Sequence, residues 1–401
     1  MDFDVVVVGA GPAGLCLARS LAGSGLRIAL VERQAEAALA SPADDGREIA
    51  ITHRSQRLLQ ALGLWDRLRA DEIGVLREAL VLDGNDTDGL AFRPALAGAQ
   101  QLGWMLPNHS IRRAAFDEVA PLPDVRLLAG TRVVSARTEA GGAQVDLDDG
   151  RALRAHLLVA ADSRHSETRR ALGIGARMHD FGKTMLVVRM RHAVAHDQVA
   201  WEWFDHGQTL ALLPLHDPHV SSVVVTLSPM QMQALLALDD AALGVEMAAR
   251  FGQRLGIMDV DGPRCAYPLV GVYARRFVAD RVALVGDAAV GMHPVTAHGF
   301  NFGLLGQDTL ARELRTALAT GRPIWSMDVL RRYERRHRAA TLPLYMATQL
   351  LAGLYTDDRP PAQVLRKLAL GLGARLPAFR RSIVAGLTAA HEGRARQWVS
   401  R

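Results

Sequence analysis

The hydrophobic pattern is clearest at the start of the chain, where residues 5–8 are four consecutive valines. Such a run fits a strand buried on both faces of a parallel sheet, since a strand with one wet face would alternate. A glycine-rich turn spans 9–14, residues 15–24 read as a helix and 27–31 as the next strand, which predicts one βαβ unit. From about 74 to 103 the pattern is irregular and loop-like. Short β runs follow at 125–128, 132–137 and 144–147, around the turn signals Gly141-Gly142 and Asp149-Gly150, and a buried strand returns at 157–161. Runs at 185–190, 200–204, 209–213 and 222–227 predict an antiparallel sheet inserted between two parts of the parallel unit. One more buried strand is expected at 282–285, and beyond Gly306 the pattern is mostly helical.

Composition narrows the class. A chain of 401 residues with 49% hydrophobic and 22% charged positions has the make-up of a soluble globular protein of two or three domains. The net charge is +5, but acids interleave with the basic residues, and Lys183 and Lys367 are the only lysines. Nucleic acid is therefore not an expected partner. Cys16 and Cys265 have no metal or redox spacing, so no metal site is expected and a reducing compartment is. The first strand begins by Phe3, which predicts no signal peptide. The apolar stretch at 342–355 is about half a spanning length and holds Thr348 and Gln349, which predicts no transmembrane helix.

Gly9, Gly11 and Gly14, with Pro12 and Ala13 between the last two, form G-x-G-x-x-G between the first strand and helix. The first glycine permits the turn, the second lets a pyrophosphate reach the backbone, and the third lets helix and strand pack closely. The helix N-terminus adds N–H groups and a positive dipole end. Glu32, followed by Arg33, closes the second strand 18 residues beyond Gly14. Its carboxylate suits both ribose hydroxyls of an adenosine and disfavours a 2′-phosphate. A turn that only packs would not need Glu32, so a dinucleotide is expected, FAD or NAD.

A second group of motifs lies far along the chain: Arg281-Val-Ala-Leu-Val-Gly286-Asp287, His293-Pro294 and Gly299-Phe300-Asn301-Phe302-Gly303. A strand ending at Gly286-Asp287 puts a carboxylate at the C-terminal edge of a sheet, where it could hold a ribityl hydroxyl. The segment from Gly299 starts a helix whose N–H groups can face developing negative charge, as on N1 and O2 of a reduced flavin.

With the glycine fingerprint, a middle motif at Asp162 and Gly286-Asp287 in this order, the chain resembles the aromatic-ring hydroxylases among flavoprotein monooxygenases, with the fold of para-hydroxybenzoate hydroxylase. The resemblance implies an α/β fold. A Rossmann-like FAD-binding domain of the glutathione-reductase type is expected from 1–73, 104–175 and 264–322, an inserted antiparallel-sheet substrate domain from 74–103 and 176–263, and a helical C-terminal region at 323–401. Arg47 is expected at the FAD pyrophosphate, with a surface pair to Glu48 or Asp45 as the alternative, and Asn108 beside the ribityl chain. Pro294 is expected near flavin C4a, and the amides of Gly299, Phe300 and Asn301 at the pyrimidine edge. A single fingerprint implies that NAD(P)H binds only transiently to reduce the flavin. Oxygen then adds as a C4a-hydroperoxide, and one atom enters the ring.

The sequence departs from the family pattern in three places. Asp162-Ser163-Arg164-His165-Ser166 stands where Asp-Gly is usual, Thr296-Ala297-His298 where Gly-Gln is common, and Gly306 where an aspartate is usual.

Within the family, residues 55–65, 293–303 and 376–381 make the chain similar to the hydroxylases of ubiquinone biosynthesis. That likeness implies a prenylated phenol as substrate, of the demethoxyubiquinol kind. The inserted sheet is then expected to turn side chains such as Leu212 and Val224 toward the flavin. His293 and His298 are candidates for taking a phenol proton beside Pro294, against a purely structural role for each. Arg366, Lys367, Arg375, Arg380 and Arg381 among leucines suit a basic surface helix at a membrane, with a helix pair packed on the flavin domain or on a second subunit as the alternative. A cytoplasmic protein is expected, with peripheral contact to the inner membrane, a homodimer and a quinone-synthesis complex left open. The rival activities are a flavin halogenase, disfavoured because Trp201-Glu202-Trp203 lacks a following Ile-Pro, an isoprenoid-lipid reductase, a hydroxylase of small soluble aromatics, and a flavin-holding assembly subunit without turnover.

Overall fold

The computed structural model describes residues 1–84, 89–205, 207–293 and 298–356, together with residue 384. The first unit is β1 (Phe3–Val8), α1 (Pro12–Leu21) and β2 (Ile28–Val31). Val5 and Val7 of β1 face one core with α1, while Val6 and Val8 face another. This two-sided burial explains why the run does not alternate. Cys16 packs inside α1, where burial pushes its thiol up to about 12.

The chain continues through α2 (Glu36–Ala40), β3 (Glu48–Ile51) and α3 (His53–Ala61), whose first turn is capped by Thr52 Oγ1 accepting from Ser55 N. The stretch expected to be irregular instead holds β4 (Gly74–Leu76), β5 (Glu78–Asp83) and β6 (Leu90–Phe92), and β7 (Gly103–Pro107) begins at its end. After α4 (Asn108–Val119) and β8 (Val125–Leu128), a meander of β9 (Val133–Glu139), β10 (Gly142–Leu147) and β11 (Ala152–Ala160) returns to β1. The first sheet runs β11-β1-β2-β8 in parallel, with β10 and β9 continuing antiparallel from β11. The β3, β4 and β7 strands make a small sheet of their own.

Past α5 (Glu167–Ala171) come β12 (Ala176–His192), β13 (Val199–Asp205), β14 (Gln208–Pro214) and β15 (Val220–Leu227). Two helices follow, α6 (Pro229–Leu236) and α7 (Asp240–Arg250), then β16 (Met258–Val260) and β17 (Cys265–Ala274). Capping fixes both helix starts: Ser228 and Gln231 form a reciprocal capping box on α6, and Asp239 Oδ1 accepts from Ala242 N at 2.7 Å on α7. The second sheet is largely antiparallel, in the order β17-β12-β15-β14-β13-β5-β6. One pair departs from that pattern: β5 lies parallel to β13, Glu78 opposite Val199 through Asp83 opposite Phe204.

The chain then re-enters the first sheet with β18 (Val278–Ala279) and β19 (Val282–Leu284), which pairs in parallel with β11. It leaves through β20 (Val290–Gly291) on β17, then α8 (Gly299–Ala319) and α9 (Met327–Thr356). Glu313 of α8 accepts from both Arg332 and Arg336 of α9. Residue Val384 is buried in a small cluster with Leu76, Leu90, Phe92 and Leu102. Among the described residues, no helix is long and apolar enough to cross a membrane.

Candidate functional site

The loop after β1 has the geometry of a phosphate cradle. Gly9 has φ +105°, and a Cβ there would lie 2.6 Å from the carbonyl oxygen of Ala161. A Cβ on Gly14 would fall 1.9 Å from the Gly9 carbonyl oxygen, so this glycine lets α1 approach the loop. Around a Cβ on Gly11, by contrast, there is nothing within 4 Å. That open space lies at the N-terminal end of α1, where Gly11 caps a helix beginning at Pro12. First-turn amides and the helix dipole make this a place for an anion. At the end of β2 the two Glu32 oxygens accept from Ala10 N (2.8 Å) and Gln34 N (2.9 Å), which fixes the carboxylate beside the loop. Arg33 is exposed.

The second group of motifs meets the first. Gly286, at the end of β19, has φ +60°, and a Cβ on it would lie 2.8 Å from the Ala13 methyl. On α8, a Cβ on Gly303 would lie 3.4 Å from Gly286 Cα and 3.9 Å from the same Ala13 methyl. Segments far apart in the chain therefore close on Ala13, and the 2.8 Å approach at Gly286 is possible only because that residue lacks a side chain. Asp287 points outward with 39% of its side chain exposed, and its Oδ2 is 3.5 Å from Arg164 Nη2. In α8 the first intrahelical bond runs from Phe302 N to His298 O at 2.9 Å, so the amides of Gly299 and Phe300 precede the helical ladder and face outward along the axis. The Asn301 side chain fastens α8 to β3, its Oδ1 accepting from Thr52 N (3.2 Å) and its Nδ2 donating to Ala50 O (2.8 Å).

The middle motif serves as a brace. Asp162 accepts from Ser166 Oγ at 2.5 Å and from Thr168 N at 3.2 Å, holding the start of α5, and its backbone flanks Gly9. Arg169, which no sequence motif marks, is only 1% exposed and donates from Nη1 to the carbonyls of Ala288 (3.0 Å) and Arg164 (3.2 Å). Burial lowers its pKa, against the attraction of Asp162. Only the fold shows that this arginine spans from α5 to the Gly286 turn.

One wall combines Asp45, Arg47, Asn108 and Tyr267. Arg47 pairs with Asp45 (Nη2–Oδ2 2.5 Å), the alternative arrangement expected for it, and Asn108 Nδ2 donates to the same oxygen at 2.7 Å. Arg47 also lies 5.8 Å from the Tyr267 ring, whose hydroxyl donates to Asp45 O at 2.8 Å. Burial acts to lower the pKa of Arg47, yet Asp45 outweighs it and the net shift is upward; Asp287 adds to the attraction. Glu48 turns instead to Arg189 of β12 (3.4 Å), and burial raises its carboxyl to about 7.

His293 is buried with its ring edge-on to Phe181 at 4.6 Å. Burial first, and His179 second, hold its pKa down to about 4. It is therefore neutral at physiological pH and a weak base, reluctant to take up a proton. His298 is half-buried, its ring 5.8 Å from Phe302. Pro294 lies outside the described residues, as do positions 295–297 and the basic residues Arg366, Lys367, Arg375, Arg380 and Arg381.

The second sheet has two unlike faces. Leu80, Leu82, Trp201, Trp203, Leu210, Leu212, Val223 and Val225 pack under α6 and α7. The other face carries Val187 opposite Val224, Ala211 opposite Glu202, and Arg189, which reaches Asp44 and Glu48. Val224 is thus on the face turned to the first unit, but Leu212 is not. The expectation for Leu212 fails on register: Leu212 pairs with Trp201 and Val223, one residue out of phase with the pocket-facing set.

Comparison with known proteins agrees with this geometry. Residues 2–342 match the family described as FAD binding domain. The chain is 43% identical over 389 residues to ubiquinone hydroxylase UbiM of Neisseria meningitidis, covering 96% of this chain and 84% of that protein. It is 35% identical to ubiquinone hydroxylase UbiL of Rhodospirillum rubrum, covering 94% and 87%. Among solved structures, PqsL of P. aeruginosa in complex with 2-aminobenzoylacetate superposes with a TM-score of 0.77 at 24% identity, over 91% of this chain and 99% of that one, a likeness of fold.

Proposed function

The chain belongs to the family of FAD-binding aromatic-ring hydroxylases that includes the ubiquinone hydroxylases, and on that premise we propose that it hydroxylates a prenylated phenol in ubiquinone biosynthesis, consuming NAD(P)H and O2. The observation that carries the proposal is the closure of Gly286 and Gly303 on Ala13, next to the open space at Gly11. It brings a phosphate cradle, an outward-facing carboxylate and a helix start to one edge of the parallel sheet. FAD, when bound, supplies the chemistry: it passes two electrons from NAD(P)H to O2, so that one oxygen atom enters the ring and the other leaves as water.

The protein's residues would do the rest. The amides at the start of α1 would take the pyrophosphate, and Glu32 the adenosine ribose. Asp287 would accept a ribityl hydroxyl, with Asn108 and Arg47 along the same wall. The amides of Gly299 and Phe300 would face the pyrimidine edge, where reduction places negative charge. Val187, Val224 and Ala211 would form a dry floor for the ring and the first part of its tail. NAD(P)H would bind only in passing, and contact with a membrane surface or a quinone-synthesis complex would bring the lipid substrate.

Phenols carrying zero to three isoprene units test this. Each buried methylene contributes on the order of 0.8 kcal/mol, so kcat/KM for product formation is expected to climb steeply with tail length. Equal efficiency across the series would make the enzyme a hydroxylase of small aromatics. NAD(P)H consumption without O2 uptake, and with a saturated tail, would make it a lipid reductase.

A further inference from the structure

We infer that Glu202, midway along β13, is the group that takes the proton from the ring hydroxyl of the substrate. This rests on the proposed phenol hydroxylation and names the base within that same site.

The pleat of β13 sets the direction of the Glu202 side chain. Trp201 and Trp203 both belong to the cluster beneath α6 and α7, so the residue between them must point to the other side of the sheet. On that side Glu202 sits between Val81 of β5 and Ala211 of β14, with Val224 and then Val187 beyond Ala211. Ala79, Val81 and Ala200 continue the apolar surface in the other direction. This is the face from which Arg189 reaches Asp44 and Glu48, and whose Val187 carbonyl lies 3.7 Å from a Cβ position on Gly46. A carboxyl therefore stands in the middle of an apolar floor that looks toward the proposed flavin site.

Its surroundings leave it without a structural role. Among the described residues, no hydrogen bond or ion pair engages the Glu202 side chain. The side chain keeps part of its accessible surface, as it would in lining a cavity. Other ionisable groups on this face of the sheet include Asp83 on β5, Arg189 and Arg191 on β12, Asp259 on β16, and Cys265 and Tyr267 on β17, by register, and Arg191 pairs with Asp217 and Asp261. Arg189 is committed to Asp44 and Glu48, and Tyr267 to the Asp45 carbonyl. Lys183, in the same sheet, donates to the carbonyl of Gly207. A half-buried carboxyl on an apolar surface with no partner costs stability, and a site for a hydroxyl-bearing ligand accounts for it.

The chemistry matches. Burial raises the carboxyl to about 8, close enough to a phenol, about 10, for efficient proton transfer. In the step, the substrate O–H bond breaks, its electron pair stays on the phenolic oxygen, and the proton moves to a carboxylate oxygen of Glu202. The resulting phenolate is electron-rich at the carbon that receives oxygen. The proton leaves Glu202 for the water that carries off the second oxygen atom, restoring the carboxylate for the next cycle.

The experiment uses the full-length FAD-loaded protein, a simple phenol and a monoprenylated phenol, with product and hydrogen peroxide both measured from about pH 6 to 11, a range that brackets the carboxyl and the phenol. In the wild type, kcat/KM for product should rise through an apparent pKa near 8. Glu202→Gln should stay yellow, lose at least about tenfold in product formation at neutral pH, release peroxide instead, and recover only where the phenol ionises by itself. A Glu202→Gln enzyme with the rate and pH profile of the wild type overturns the inference. A second measurement needs no variant: fluorinated phenols already ionised at neutral pH need no base, so the rise near pH 8 should vanish with them. Its persistence overturns the inference as well. A wild type that hydroxylates none of the phenols overturns the parent proposal and this one with it, whereas hydroxylation unaffected by Glu202→Gln overturns this one alone.

Discussion

Gly306 of α8 and His337 of α9 share one volume: a Cβ on Gly306 would lie 2.7 Å from Nε2 of His337. The imidazole has little room to retreat. It is 1% exposed, stacked on Tyr333 at 5.7 Å and 15°, and lies 5.5 Å from the Phe277 ring. The aspartate usual in the family at this point is therefore replaced by a gap that a ring from the next helix fills. Gly306→Ala is expected to destabilise the fold by about 1–3 kcal/mol, the typical cost of overpacking. Most of that cost should disappear in a His337→Ala background. A double-mutant cycle from urea unfolding measures this, and additive effects would mean that the two positions do not compete.

The phosphate loop separates folding from binding. Gly11→Val places its Cβ where the protein has nothing within 4 Å, so the variant should fold with a normal melting temperature yet purify colourless. Gly14→Ala sets a methyl group against the Gly9 carbonyl oxygen and should lower expression and stability outright. Circular dichroism and the flavin absorbance of the purified proteins distinguish the two. A yellow, fully loaded Gly11→Val would remove the pyrophosphate from this loop.

Asp287→Ala deletes a carboxylate that is 39% exposed and only 3.5 Å from Arg164, a pairing too loose to support the fold. Its effect should fall on cofactor affinity, with FAD binding weaker by about 1.5–3 kcal/mol, the value of a charge-assisted hydrogen bond. Titration of the apoprotein with FAD reads this directly, and unchanged affinity would assign Asp287 no ligand.

What could be read from the sequence was what depends on local periodicity or short motifs. Residues 5–8 announce β1 because both faces are buried, and Gly9, Gly11 and Gly14 declare their roles by spacing. What could not be read depends on partners far away in the chain. β5 is a strand because Val199–Asp205, far later in the chain, lies alongside it; its own six residues, Glu-Ala-Leu-Val-Leu-Asp, carry no strong alternation. Leu212 and Val224 look alike in sequence, and only cross-strand register sends one under the helices and the other to the pocket. Arg169 and Glu202 gain their interest from burial, and no sequence period reveals a buried charge.

Buried ionisable groups should give the fold a stability maximum with two distinct limbs. His293 and His337 are each held down to about 4, by burial first and then by His179 and Arg338 respectively, whereas an unfolded histidine titrates near about 6.5. Below that value the unfolded chain takes up protons that the folded one refuses, so this stability is present above about pH 6.5 and is lost as pH falls toward 4. Glu48 and Glu202 act in the opposite sense, since burial raises them to about 7 and about 8 from an ordinary 4.5. Their stabilising contribution is full below 4.5 and is lost as pH rises through 7 and 8, because the folded state must then hold a buried charge. A tenfold difference in proton affinity between the folded and unfolded chain is worth about 1.4 kcal/mol, so each limb has a ceiling of a few kcal/mol per group. Melting temperatures across about pH 4 to 9 should show both limbs. His337→Leu should flatten the acid limb, whatever it does to absolute stability, and leave the alkaline limb in place. Glu202→Gln should do the reverse and raise the melting temperature most at the alkaline end. If Glu202→Gln lowers stability equally at every pH, Glu202 has an ordinary carboxyl pKa and does not lie in an apolar floor.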